Sequence, residues 1–264
     1  MLPTRPLPRT RRTVDTASRF GFQWDRYREV FPHYEAQFLD WIAPLRAADF
    51  AGRDVLDAGC GMGRHALFAA RYGARSVLAV DQSSLAVHAA HELLADLPGV
   101  RVERRSIYDL SLKRAFDLVF AIGVLHHLEH PRLALEKLCE TLRRGGRLIA
   151  QVQGYEGNEE WVRFFRRAHR VLRLLPPRTV HALAYLLSAP LYLGLPLPWR
   201  SDALARAAHL PFRPLHASVS AQLVPEIARY YRREEVEALF EDLDLAKCEI
   251  HASPASGWTV IAQK

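Results

Sequence analysis

Lysine is scarce in this chain. Lys113, Lys137, Lys247 and Lys264 are its only occurrences in 264 residues, although Lys and Arg together number 36 against 29 Asp and Glu. The net charge of +7 and the pI near 9.6 are therefore carried by arginine. No lysine-rich tract of the kind that grips a phosphate backbone is present. Cysteine is scarce too: Cys60, Cys139 and Cys248 are odd in number and far apart. With no CxxC pair there is no disulfide framework, which suits a reducing compartment. The N-terminal stretch is rich in Pro and Arg but has no apolar core, so no secretory signal is read there and the expected location is cytoplasmic. The most apolar stretch, 180–198, is interrupted by Pro190, Pro196 and Pro198, which argues against a membrane span. No metal-ligand spacing stands out, and no metal is expected.

Against these absences one stretch is rich in signal, Asp54-Val-Leu-Asp-Ala-Gly-Cys-Gly-Met-Gly-Arg-His65. It reads as a buried strand, a glycine-rich turn and the start of a helix, the layout of a ligand site at the carboxyl end of a parallel strand. The pyrophosphate fingerprint Gly-x-Gly-x-x-Gly would put its third glycine at position 64, where the chain has Arg64; Gly63 comes one residue early. Asp57 precedes the loop and would repel a pyrophosphate while favouring a cation. A second strand, Ser76–Val80, ends in Asp81, whose carboxylate suits the paired hydroxyls of a ribose. A ribose with a positive centre and no phosphate points to S-adenosylmethionine (SAM).

Asp57-Ala-Gly-Cys-Gly-Met-Gly63 together with Val80-Asp81 resembles the first and second SAM motifs of class I SAM-dependent methyltransferases. The Phe-Gly-Phe-Gln-Trp entry at 20–24 and Gly123-Val-Leu-His-His-Leu128 resemble the type 11 methyltransferase-domain group. The resemblance covers about residues 50–152 and 232–263. It implies a seven-stranded Rossmann-like α/β sheet, mostly parallel with one antiparallel strand, interrupted by a helical insertion before the last two strands. The strand–helix alternation from Val55 to Val152 agrees. Expected strands are 55–58, 76–80, 100–103, 116–122, 147–152, 246–251 and 258–262. Helices are expected near 33–42, 65–72, 84–94, 132–142 and 233–243, with Gly145-Gly146 stopping the fourth of these. The expected division is a flexible arm over 1–18, an aromatic lid over 19–48, the SAM-binding core over 49–153, an acceptor-covering insertion over 154–230 and the end of the core over 231–264.

Carried onto this chain, the resemblance assigns cofactor roles residue by residue. Gly59 and Gly61 face the methionine and ribose, Asp57 lies near the ammonium, Asp81 holds the ribose and Gln82 flanks the adenine. Ser106 stands where the family usually has an acidic residue for the adenine amino group. Ile107 packs on the adenine, and Gly123 lets the methionine part lie close. His126 and His127, ending the fourth strand, are candidate general bases because His titrates near neutral pH. Arg64 pairs with the methionine carboxylate or with the N-terminal segment. Phe22, Trp24 and Tyr27, with Tyr230 entering the last helix, are candidate acceptor contacts; an aromatic face also attracts the sulfonium.

The leading expectation is SAM-dependent methyl transfer to a small, partly apolar organic acceptor, with nucleic acid not expected as partner. The basic insertion around 161–175 also suggests peripheral contact with an anionic membrane. Two further readings remain: a tRNA or other RNA methyltransferase, and a SAM-binding protein without turnover. The basic pI favours the RNA reading. The lack of an Asn-Pro-Pro-Tyr-type motif and of an added RNA-binding module counts against it.

Overall fold

The computed structural model describes residues 16–172, 174–194, 210–224, 227–253 and 257–264. Residues 1–15 of the expected arm and the Pro196–Pro198 part of the apolar stretch lie outside the described residues. The core is one seven-stranded sheet in the order β3-β2-β1-β4-β5-β7-β6. Its strands are β1 Asp54–Ala58, β2 Ser76–Asp81, β3 Val100–Arg104, β4 Phe116–Ile122, β5 Leu142–Gln153, β6 Lys247–Ser253 and β7 Gly257–Gln263. β7 runs antiparallel to both β5 and β6, and the remaining pairings are parallel. The strands buried on both faces read as unbroken apolar runs, Val55–Leu56 and Leu118–Ile122, as a covered parallel sheet requires.

Helices α3 Arg64–Arg71, α4 Ser84–Leu94, α5 Pro131–Thr141 and, after the insertion, Arg233–Phe240 cover the sheet. Ser83 caps α4 by accepting the Ala86 N–H, and Pro131 fills the first turn of α5. α5 ends at Thr141, so Gly145-Gly146 does not stop it; the pair lies inside β5, where pairing with β4 is irregular between Phe116 and Leu118. Gly145 takes a positive φ of 77° there, and its N–H reaches the Lys264 carbonyl.

The aromatic entry segment, expected only as a lid, is helix α1 Thr16–Arg26, followed by α2 Pro32–Ile42. The insertion supplies α6 Glu159–Leu172, α7 Pro177–Leu183, α8 Tyr185–Tyr192 and α9 Phe212–Leu223; the helix after it is α10 Arg233–Phe240. Val180, Ala184, Leu215, Val219 and Leu223 form a small core of the insertion's own. Among the described residues no helix is long and apolar enough to cross a membrane. Lid and insertion, expected as separate parts, are joined. Arg19 is 2% exposed and donates from α1 to the Val224 and Leu175 carbonyls, and Gln23 donates to the Ala217 carbonyl.

At the N-terminal ends of the strands, away from the site, Asp54 accepts from Arg75, from Ser76 at 2.8 Å and from Arg143 at 2.8 Å. Arg143 also holds Asp117 at 2.9 Å, so the cluster ties β1, β2, β4 and β5 together. Arg75 foremost, then Ser76 and Arg143, hold the Asp54 carboxyl well below the usual carboxylate range. A folded-state pKa below the unfolded value means stabilisation that is present above about pH 4 and is lost as pH falls through the folded value. Asp54→Asn is expected to lower stability at pH 7 by on the order of 1 kcal/mol or less, since the arginines are half exposed. It should also make the decline in urea midpoint below pH 4 shallower than in the parent; equal acid limbs would refute the assignment.

Candidate active site

The chain order reverses between β1 and β4, and at that switch point the carboxyl ends of β1, β2 and β4 diverge. A cavity of about 520 Å³ opens there. This is within the range of small-molecule sites, roughly 300–1,000 Å³. Its floor is the turn after β1. Gly59 and Gly61 take φ values of 82° and 55°, which favour glycine. A Cβ on Gly59 would lie 2.6 Å from Val124, and one on Gly61 would lie 2.9 Å from the Trp24 ring, so both positions are also closed to larger residues by contact. Asp81 ends β2 and fixes this turn: its carboxylate accepts the Gly61 N–H at 3.0 Å and the Ser83 N–H at 2.8 Å.

From this floor the cavity runs along the strand ends. On the β2–β3 side it is lined by Asp81, Gln82, Ser106 and Ile107. Ser106 caps the short turn Ile107–Asp109 by accepting the Tyr108 N–H at 3.3 Å. On the β4–β5 side lie Gly123, His126, His127, Gln151 and Gln153. The roof is α1, whose residues Phe20, Gln23 and Trp24, with Tyr27 just beyond, fall at helical spacing on one face. Ala217, Gln222 and Tyr230 close the insertion side, and the Tyr230 hydroxyl donates to Gln222 Oε1 at 2.9 Å.

Most of the sequence-predicted residues therefore meet in one cavity: Gly59, Gly61, Asp81, Gln82, Ser106, Ile107, Gly123, Trp24, Tyr27, Tyr230 and both histidines. Two do not line it. Asp57 is 1% exposed beneath the turn; its carboxyl accepts the Ala66 N–H, and burial raises it well above the usual carboxylate range. It supports the loop and α3 from below. Phe22 falls on another face of α1, with its ring edge-on to His181 at 5.9 Å. Tyr27 shares a 2.8 Å hydrogen bond with His181 Nε2.

The histidine pair divides by environment. His126 is buried, and desolvation holds it neutral, well below the ordinary histidine value. His127 donates from Nδ1 to the Ile227 carbonyl at 2.6 Å, which fixes the tautomer of the neutral ring with Nε2 as its basic nitrogen. Its ring lies 4.7 Å from Phe20. Sequence reasoning missed a set of carboxamides on the wall: Gln23, Gln151, Gln153 and Asn158. Buried carbonyl oxygens of Gln23 and Gln153 have no hydrogen-bond partner. The signal for two of them was present: Gln151 and Gln153 are polar residues two apart at the exit of a core strand.

The residues fit SAM. The glycine turn leaves no room for side chains, a fixed carboxylate stands at the end of β2, and the cavity continues past both. Fold and site thus resemble those of class I SAM-dependent methyltransferases, with residues 55–146 matching the family model described as a methyltransferase domain. Among curated relatives, it is 34% identical over 156 residues to the tRNA U34 carboxymethyltransferase of Alteromonas mediterranea, an overlap of 56% of this chain and 42% of that protein. It is 37% identical over 161 residues to the enzyme of the same name from Methylococcus capsulatus, 56% of this chain and 48% of that protein. The chain spans less than half the length of these relatives. An O-methyltransferase family protein from Burkholderia thailandensis shares the fold, with a TM-score of 0.59 at 16% identity over 96% of this chain and 63% of that one. The relatives' names overturn the expectation that nucleic acid is no partner of such a chain: they are named for tRNA.

If Asp81 holds the ribose, Asp81→Ala weakens SAM binding at least tenfold, since the change removes that carboxylate and the clamp on the Gly61 N–H. Calorimetry with SAM checks this, and an unchanged affinity would remove Asp81 from the ribose role.

Proposed function

We propose that the protein transfers a methyl group from SAM to a base of an RNA, with tRNA the leading substrate. The observation that carries the reading is the composition of the cavity wall beyond the donor loop. Phe20 and Tyr230 offer aromatic faces, and Gln23, Gln151, Gln153 and Asn158 offer amide donors and acceptors. Proteins that act on a base draw it from its stack, hold it against aromatic side chains and read its edge by hydrogen bonds. The names of the relatives support the same reading. So does the arginine-borne positive charge.

SAM supplies an electrophilic methyl carbon when bound. The chain aligns the acceptor with it and excludes water. Gly59, Gly61 and Asp81 fix the donor end of the cavity. α1 and α9 close over the acceptor end, and their junction at Gln23 and Ala217 keeps the roof in one piece. His127, oriented by Ile227, is placed to take a proton from the acceptor where the base must lose one.

The test is incubation of the purified protein with methyl-labelled SAM and total RNA from its source cells, followed by nucleoside mass spectrometry. Label is expected in one modified nucleoside of the tRNA fraction and is expected to disappear when the RNA is first digested to mononucleotides. Label found only in small organic molecules of the extract would overturn the RNA reading while leaving the donor assignment in place.

A further inference from the structure

The amides on the cavity wall have a direction. Gln23 donates from its NH2 group to the Ala217 carbonyl at 2.9 Å, Gln151 to the Val152 carbonyl at 3.2 Å and Asn158 to the Gly154 carbonyl at 3.0 Å. A main-chain carbonyl accepts and cannot donate, so each contact requires the NH2 end of the amide and fixes which way the group is turned. In all three the nitrogen is turned to the scaffold and the oxygen is the other end. The Gln23 oxygen has no hydrogen-bond partner, although the residue is only 3% exposed, and the Gln153 oxygen has none either. A buried acceptor left unpaired is costly, and it is retained where a ligand brings the donor. His127 adds a further lone pair: with Nδ1 on the Ile227 carbonyl, Nε2 is its basic nitrogen. Among the described residues the arginines that line the cavity are Arg64 and Arg105. Arg64 stands on the glycine-turn side, over Tyr34, and Arg105 is paired with Glu103 at 2.9 Å. The amide wall is therefore rich in acceptors and carries no guanidinium.

We propose that the atom receiving the methyl group is an amino nitrogen, held through its N–H hydrogens by the side-chain oxygens of Gln23, Gln151 and Gln153. An amino group brings the donors that this wall calls for. A carboxylate or phosphate oxygen would meet lone pairs there and no cation. A hydroxyl brings a single hydrogen, which it must release on reaction; an amino group gives up one of two and stays held by the other. On the RNA reading, on which the identity of the substrate rests, the group is the exocyclic amine of adenine, cytosine or guanine, with the ring against Phe20 and Tyr230. In the step, the nitrogen lone pair forms the N–C bond and the C–S bond breaks with its electron pair passing to sulfur. The sulfonium becomes a neutral thioether, and one amine proton goes to His127 Nε2.

The experiment supplies methyl-labelled SAM and a whole extract of the source cells, RNA and small molecules together, and locates the label by mass spectrometry. An N-methylated exocyclic amine in RNA is expected. Label in RNA on a ribose hydroxyl, a ring atom or uridine would overturn the proposal and leave the RNA reading standing. Label on the amine of a small molecule would support the choice of atom and overturn the RNA reading; a methyl ester or ether there would overturn both. Gln153→Met then tests the wall, because it removes an oxygen that has no partner in the protein. Its thermal midpoint is expected to be unchanged or raised, while kcat/KM for the labelled substrate falls about tenfold or more. Gln153→Glu, which keeps an acceptor oxygen, should lose less than Gln153→Met, and calorimetry should give unchanged S-adenosylhomocysteine affinity in both. Full activity in Gln153→Met would overturn the proposal. So would a matching loss of S-adenosylhomocysteine affinity, which would turn these oxygens to the donor.

Discussion

The bond on which the site depends is the one from the Gly61 N–H to Asp81. It joins the turn after β1 to the end of β2, with the Asp81 carboxylate accepting at 3.0 Å from Gly61 and at 2.8 Å from Ser83. A turn built from Gly59, Gly61 and Gly63 has more conformational freedom than most to lose on folding. The carboxylate removes that freedom, and in doing so holds itself at the mouth of the cavity. The carboxylate at the cavity mouth and the shape of the turn are thus one structural unit. Burial of Asp57 beneath the same turn, accepting from Ala66, braces it from the other side.

A second set of contacts ties the acceptor side to the sheet. The segment returning from the insertion donates the Arg229 N–H to the His126 carbonyl at 3.0 Å, and the Arg229 guanidinium reaches the Leu128 and Glu129 carbonyls. Ile227 accepts from His127, and Tyr231 exchanges backbone bonds with Gln153 and Tyr155. The loop after β4 is therefore shaped by a segment a hundred residues away. A change in the insertion acts on the histidine pair directly, through main-chain bonds. Because Arg19 and Gln23 bind α1 to the same insertion, the roof and the loop after β4 are anchored to one element.

The meeting of the glycine turn with the end of β2 was legible in the sequence because its constraints are backbone constraints. Glycine at 59 and 61, an acidic residue ending each of two strands and the register between them leave a mark in residue type. The sheet followed from alternation, with errors confined to element ends and to Gly145-Gly146, whose turn belongs to a strand irregularity. Asp57 was misread because a carboxylate before a glycine turn looks the same in sequence whether it faces a ligand or a helix N–H. Phe22 was misread because four aromatics in eight residues do not declare a face until the segment is known to be helical; then Phe20, Trp24 and Tyr27 separate from it.

The acceptor half was illegible for a different reason. Carboxamides carry no charge, shift no titration and form no motif, so Gln23, Gln151, Gln153 and Asn158 were unremarkable one at a time. Their meaning arises only when a strand end, a helix in the N-terminal segment and the residue just before α6 converge on one cavity. The same holds for the expected partner. Composition reports how a protein meets a phosphate backbone over its surface, where salt and counterions set the affinity. It does not report how a single base is held in an enclosed cavity, where stacking on Phe20 and Tyr230 and pairing with amides would set the choice. A chain poor in lysine and rich in arginine is weak evidence against a nucleic-acid substrate once the reacting group is enclosed. On the proposed RNA reading the discriminating residues are neutral, and they lie on the roof and on the exit of β5, outside the glycine turn.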